Sequence, residues 1–200
     1  MALDTETSRA PRAAQPLDVA LNRAEVKWTR KELAGRVLWG LCQPFFRWSP
    51  RPLWGWRRLI LRIFGAEVGA GAHVYPSVKI AIPWNLRIAE GAAVGDHAIL
   101  YSLGEIRLDE RATVSQYAHL CAGTHALGQP QRPLVKATVR VGADAWVCAD
   151  SFIGPGVEVG ACAVVGARAV VVRDVPPGAL AVGNPARLEE RGDEEGEAPR

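Results

Sequence analysis

An aliphatic residue returns at every sixth position from Val141 to Val171: Val141, Val147, Ile153, Val159, Val165 and Val171. A second small or branched residue stands two places before each return, as Ala145, Ser151, Val157, Ala163 and Ala169. Residues two apart on a strand share a face, so each pair points inward together. A helix of about 3.6 residues per turn does not generate a period of six, and plain strand alternation leaves no empty slot between pairs. The period instead predicts an all-β solenoid whose short strands turn a corner every six residues, a β-helix of hexapeptide repeats. The same pairs run upstream from Val68, as Ala72/Val74, Val78/Ile80, Ala92/Val94, Ala98/Leu100, Gly104/Ile106, Ala112/Val114 and Ala118/Leu120. The phase slips by two at Leu86–Ile88 and at Ile106–Leu108, where a bulge or a longer corner is expected. With three repeats to a turn, the β-helix domain of residues 65–188 holds roughly five stacked coils.

The period breaks from Gly123 to Ala137, a stretch with two prolines and His125 that is expelled from the solenoid as a loop. Loops of that length in a compact domain are usually functional or disordered. Ahead of the repeats, residues 31–64 interleave Trp39, Trp48, Trp54, Trp56, Phe45 and Phe46 with arginines. Ser49-Pro50 and Pro52 divide this segment into two short helices, since proline cannot continue a helix. Two readings stay open for it. The aromatics cover the open end of the solenoid, as every solenoid requires, or a basic amphipathic element lies on an anionic membrane surface with tryptophan at the headgroups. Residues 1–30 read as a disordered lead and residues 189–200 as an acidic disordered tail.

Charge sharpens this division. Residues 1–64 hold 12 Lys/Arg against 5 Asp/Glu, the tail from Glu189 holds 2 against 6, and the solenoid between them is neutral. A nucleic-acid binder would carry its positive charge along the folded face, so no nucleic-acid partner is expected. The four cysteines show no C-x-x-C spacing, and the three within the repeats, Cys121, Cys148 and Cys162, read as small hydrophobes; a reducing cytoplasm is the simplest setting. The uncharged run Val37 to Phe46 is too short to span a bilayer, and residues 1–30 show no secretory signal. The localisation expected is cytoplasmic, with membrane association as the open variant.

The repeat run, the loop with Thr124-His125, the closure Val171-Val-Arg-Asp-Val-Pro-Pro-Gly and Gly183-Asn184-Pro185-Ala186 resemble hexapeptide-repeat acyltransferases. Trp56-Arg-Arg, Phe64-Gly-Ala, Val74-Tyr-Pro-Ser, Ile82-Pro-Trp-Asn-Leu and Ser115-Gln-Tyr-Ala-His-Leu are similar to the colanic-acid-type O-acetyltransferases of exopolysaccharide biosynthesis. The resemblance spans about residues 35–188. It implies a left-handed parallel β-helix, a homotrimer, and acetyl-CoA as co-substrate in the groove between subunits. The acceptor it implies is a sugar hydroxyl of an exopolysaccharide or its precursor.

Acetyl transfer from a thioester to a hydroxyl needs a base for the hydroxyl proton, donors for the tetrahedral oxyanion and an apolar slot for the thioester. An imidazole suits the base role near neutral pH, and the resemblance places it at His125. By the same resemblance, Trp146 walls the acetyl and pantetheine slot, Ala149 and Ala167 offer backbone groups to pantetheine, and Arg187 meets the CoA phosphates. Lys136 and Arg168 are weaker phosphate candidates. Ser102 stands where relatives carry an acceptor-side asparagine, and His119 faces outward where it could line the groove. Ala126 replaces an acidic residue that relatives carry after the histidine, which leaves the group orienting the imidazole unassigned. Trp84-Asn85 reads as a structural corner.

Two other functions compete. A γ-class carbonic anhydrase would need three histidines on one zinc, and His97, His119 and His125, the set to imagine in that role, stand in unlike positions of the repeat; no metal site is expected. A non-catalytic structural or regulatory subunit would have no use for an expelled loop with a histidine at its mouth.

Overall fold

The structure, a computed structural model, describes residues 16–25 and 27–189. Three parallel sheets wrap a narrow prism. The first face stacks Glu67–Val68, Leu86–Ile88, Ile106–Leu108, Val139–Val141 and Glu158–Val159. The second stacks His73–Val74, Ala93–Val94, Thr113–Val114, Trp146–Val147, Val164–Val165 and Leu180–Val182, then adds Arg187–Glu189 antiparallel at its end. The third stacks Lys79–Ile80, Ile99–Tyr101, His119–Cys121, Phe152–Ile153 and Val170–Val171. Five coils are complete, and the bridge of Val175 to Val159 together with Leu180–Val182 begins another, about 6 turns in all.

The inward pairs are those the period predicts. Ala145/Val147, Ser151/Ile153, Ala163/Val165 and Ala169/Val171 are all buried, and the upstream pairs follow them. The phase slip at Leu86–Ile88 is a longer corner, in which Pro83–Asn85 makes a turn of 3-10 helix before a three-residue strand. Trp84 of that corner packs against Gly35 of one helix and Gly65 in the turn after the next, and the Asn85 amide donates to the carbonyls of Ser102 and Leu103. The corner is structural.

Residues 30–63 close the open end. Thr29 and Glu32 form a capping box at the start of a long helix, α2 (Arg30–Arg47). The turn through Ser49-Pro50 and Pro52 leads into α3 (Trp54–Ile63). In the second coil the carbonyls of Ile88, Ala92, Val94 and Leu100 accept from first-coil amides of Gly69, His73, Tyr75 and Ala81. The first coil has no coil before it, so its counterparts Val68, Ala72, Val74 and Ile80 would be left without donors. Side chains supply them. Arg62 donates to Val68, Arg58 to Ala72 at 3.0 Å, Arg57 Nε to Val74 at 2.7 Å and the Trp39 indole to Ile80 at 3.0 Å. The helices thus end the sheets chemically as well as sterically, which is how a parallel edge is kept from pairing further.

The N-terminal boundary differs from expectation. Residues 1–15 of the expected lead lie outside those described. Val19–Ala24 forms a one-and-a-half-turn helix, α1, whose N-cap Asp18 accepts from Leu21 N at 3.0 Å. At the other end Glu189 closes a strand, and the remaining acidic residues lie outside the described ones.

Candidate active site

The expelled segment is a β-hairpin. Gly123–His125 pairs antiparallel with Leu134–Lys136, with His125 opposite Leu134. It leaves the solenoid at the edge between the third and first faces. Gly104 makes that exit close: a Cβ there would lie 2.5 Å from the Ala137 carbonyl oxygen and 2.7 Å from that of Ala122. The hairpin is tied down from outside. Asp18 N donates to the Pro130 carbonyl at 2.9 Å and the Asn22 amide to Gln131 at 2.6 Å. Lys136 pairs with Glu32 of α2 at 3.3 Å and sits over the Trp28 ring, so it is engaged structurally. Arg168, the other weak phosphate candidate, pairs with Asp150 at 3.1 Å.

His125 is exposed, and its Nδ1 lies 2.7 Å from the Arg132 carbonyl oxygen. A carbonyl only accepts, so Nδ1 carries the proton and the lone pair of the neutral ring sits on Nε2. The orienting group is therefore a backbone carbonyl of the same hairpin. No side-chain motif could have announced it, although Arg132 adopts φ 44° to present it.

The remaining predicted residues are spread around the prism. Trp146 stands on the second face between Thr113 and Val164, half-exposed, its indole donating to Ser115 Oγ at 2.8 Å. Ala149 and Ala167 lie at the edge between the second and third faces, where the Ala149 carbonyl accepts from Arg168 N. Arg187 is exposed at the far end of the second face and lines an open hollow of about 680 Å³ with Val171–Val175, Pro185 and Leu188. In one chain His125 is thus separated from Trp146 and from the edge that holds Ala149 and Ala167. The first face offers no apolar slot, since its outward side is an ion ladder of Arg87 with Glu67 and Glu105, and of Arg140 with Asp109 and Glu158.

Ser102 is not an acceptor-side residue. It is fully buried, and its hydroxyl accepts from Ile82 N at 2.9 Å while donating to the Ile82 carbonyl at 2.8 Å. The hydroxyl bridges two coils across a tight corner, so both its donor and an acceptor site are engaged within the chain.

His119 faces outward on the third face, as the repeat predicts, but among apolar neighbours: Ile99 and Phe152 flank it in register, and Tyr101 meets its ring edge-on. Its Nε2 is buried with no hydrogen bond among the described residues. Burial pulls this imidazole below its ordinary 6.5, so the native chain binds fewer protons there than the unfolded chain. The contribution is full above pH 6.5 and is lost as pH falls through the lowered value. Between about pH 7.5 and about pH 5, His119→Phe is expected to lose less unfolding midpoint than the wild type. Equal acid sensitivity in urea melts of the two proteins would remove His119 as the cause.

His97, the third histidine of the zinc alternative, sits at the edge between the second and third faces, stacked on Tyr117 at 5.1 Å. No group of three His, Cys, Asp or Glu side chains placed to hold a metal ion occurs among the described residues.

No family model matches the chain. It is 38% identical over 151 residues to the colanic acid biosynthesis acetyltransferase WcaF of Escherichia coli, covering 76% of this chain and 83% of that protein. It is 32% identical over 133 residues to nodulation protein L of Rhizobium meliloti, covering 65% of this chain and 73% of that one. A hexapeptide-repeat acetyltransferase from Vibrio cholerae, solved with acetyl coenzyme A, superposes with a TM-score of 0.74 at 22% identity, over 80% of this chain and 88% of that one. The shared architecture is the left-handed parallel β-helix. Sequence kinship along most of both chains, on that fold, places this protein in the family of hexapeptide-repeat acetyltransferases.

Proposed function

We propose that this chain is an O-acetyltransferase that moves the acetyl group of acetyl-CoA to a hydroxyl of a sugar, in an exopolysaccharide or its precursor. His125 is the general base. Its Nε2 takes the acceptor proton while the hydroxyl oxygen attacks the thioester carbonyl; the C–S bond then breaks, and the thiolate leaves with the proton the imidazole received. The observation that carries this reading is the 2.7 Å contact of Nδ1 with the Arg132 carbonyl, which holds a lone pair on Nε2 at the end of an exposed hairpin strand. The kinship with WcaF supports the acceptor class.

Trp146 supplies an apolar ring with its indole nitrogen already satisfied by Ser115, which suits it to wall a thioester. Ala149 and Ala167 offer backbone groups to pantetheine, and Arg187 offers a guanidinium to phosphate. Trp146 and Arg187 belong to the second face, Ala149 and Ala167 to its edge with the third, and His125 to the edge between the third and first, so in this reading one site that uses them all is completed between neighbouring subunits. A homotrimer with its site in the groove between copies answers that separation. The same reading places the enzyme in the cytoplasm, where acetyl-CoA and reduced cysteines coexist.

The test is thiol release from acetyl-CoA, followed colorimetrically in the presence of a panel of sugars and oligosaccharides. Acceptor-dependent release is the expected result. Absence of release with every acceptor, together with no heat of acetyl-CoA binding, would replace this reading with that of a structural subunit.

A further inference from the structure

The cap has a second side. On α2 Trp39 and Phe46 are buried against the first coil, while Val37, Leu38, Leu41, Phe45 and Trp48 stand in solvent. On α3 Ile60 and Leu61 are buried, while Trp56, Leu59 and Ile63 are exposed. A helix that only covers a solenoid end should carry polar residues on its outer stripe. These two carry apolar ones. The stripes adjoin, because the Trp56 indole donates to the Phe45 carbonyl at 3.1 Å. Trp48 is 85% exposed, beyond any other large hydrophobic residue described, and so covers nothing within its own chain. A continuous apolar surface of this kind marks a partner or a bilayer.

Charge decides between them. Of the eight Lys/Arg in residues 30–63, Arg57 is buried and Arg58 and Arg62 donate to the first coil, while the single acidic residue, Glu32, is engaged by Thr29 and Lys136. Arg30, Lys31 and Arg47 are exposed on α2 itself. Two copies meeting through this face would bring like charges together around it. An anionic headgroup layer would meet both the cations and the indoles. No described helix is long and apolar enough to cross a membrane, so the cap lies in the interface plane rather than spanning it. We infer that the outer face of α2 and α3 docks the enzyme on the surface of an anionic lipid bilayer.

The experiment uses the full chain with vesicles of phosphatidylcholine alone and of phosphatidylcholine mixed with phosphatidylglycerol. Pelleting with the mixed vesicles is expected to exceed that with phosphatidylcholine by about tenfold and to fall at high salt. Phe45→Ser/Trp48→Ser should lower it by a further factor of at least about ten, at unchanged solution mass, because both side chains are exposed. Tryptophan emission of the wild-type chain should be quenched by lipid brominated near the headgroup, a readout that needs no variant. Pelleting that ignores the vesicles, equal pelleting of the double variant, or absence of quenching would overturn the inference. So would a fall in solution mass of the double variant, which would assign the face to contacts between copies of the chain.

Discussion

His125→Ala is expected to lower kcat by about 10²–10⁴-fold, the range that loss of a positioned general base produces. Acetyl-CoA binding, measured by calorimetry, should change little, because the imidazole is exposed and its one recorded contact is with its own hairpin. Alanine removes two things at once: the basic Nε2 and the Nδ1 contact that helps shape the turn around Arg132. His125→Asn separates them. Its amide can donate to the same carbonyl yet has no basic nitrogen, so the base assignment requires it to be as inactive as alanine. If asparagine restores turnover toward the wild-type rate, the ring serves to hold the hairpin and the proton goes elsewhere. If alanine itself turns over normally, His125 has no part in the chemistry.

What could be read ahead of the structure followed from whether a residue's role is local. The inward pairs are set by strand alternation and corner spacing, both properties of a few consecutive residues, and Ala145/Val147 or Ala163/Val165 sit where the period put them. Ser151 took its inward slot as well, because its hydroxyl reaches the Cys148 carbonyl three residues back. Ser102 shows the converse. Its hydroxyl serves Ile82, twenty residues away, and nothing near it in the chain reveals that. The helix α1 is not legible locally, since it is too short to stand alone and is held by the Pro130 and Gln131 carbonyls of a distant hairpin. Of the two readings of the front segment, the cap is realised, and the arginines that suggested a membrane are in part the donors that finish it. The apolar stripe left on the outside is what keeps the second reading alive beside the first.

Arg57→Leu is expected to destabilise the chain by about 2–4 kcal/mol, the larger share from carbonyls that lose their donor in a buried place. Arg57 is fully buried on α3, and burial, followed by the neighbouring Arg58 charge, pulls its pKa below the ordinary guanidinium value; it nonetheless remains charged at neutral pH. Taking that charge out of water is costly, and leucine would avoid the cost. Against this stand four acceptors: the carbonyls of Val74, Pro50 and Arg51, and Ser49 Oγ. Pro50 and Arg51 are exposed and can turn to water, but Val74 O and Ser49 are enclosed by the cap. Arg62→Leu provides the comparison, because Arg62 performs the same office for Val68 from an exposed position where water can replace it. Its cost should be no more than about 1 kcal/mol. Urea unfolding of the two variants against the wild type decides the matter. Equal, small shifts would mean that the cap holds the first coil by apolar contact alone and that the donors are incidental. A large Arg57 effect with a small Arg62 effect would show that the sheets end because buried side chains stand in for the coil that is not there.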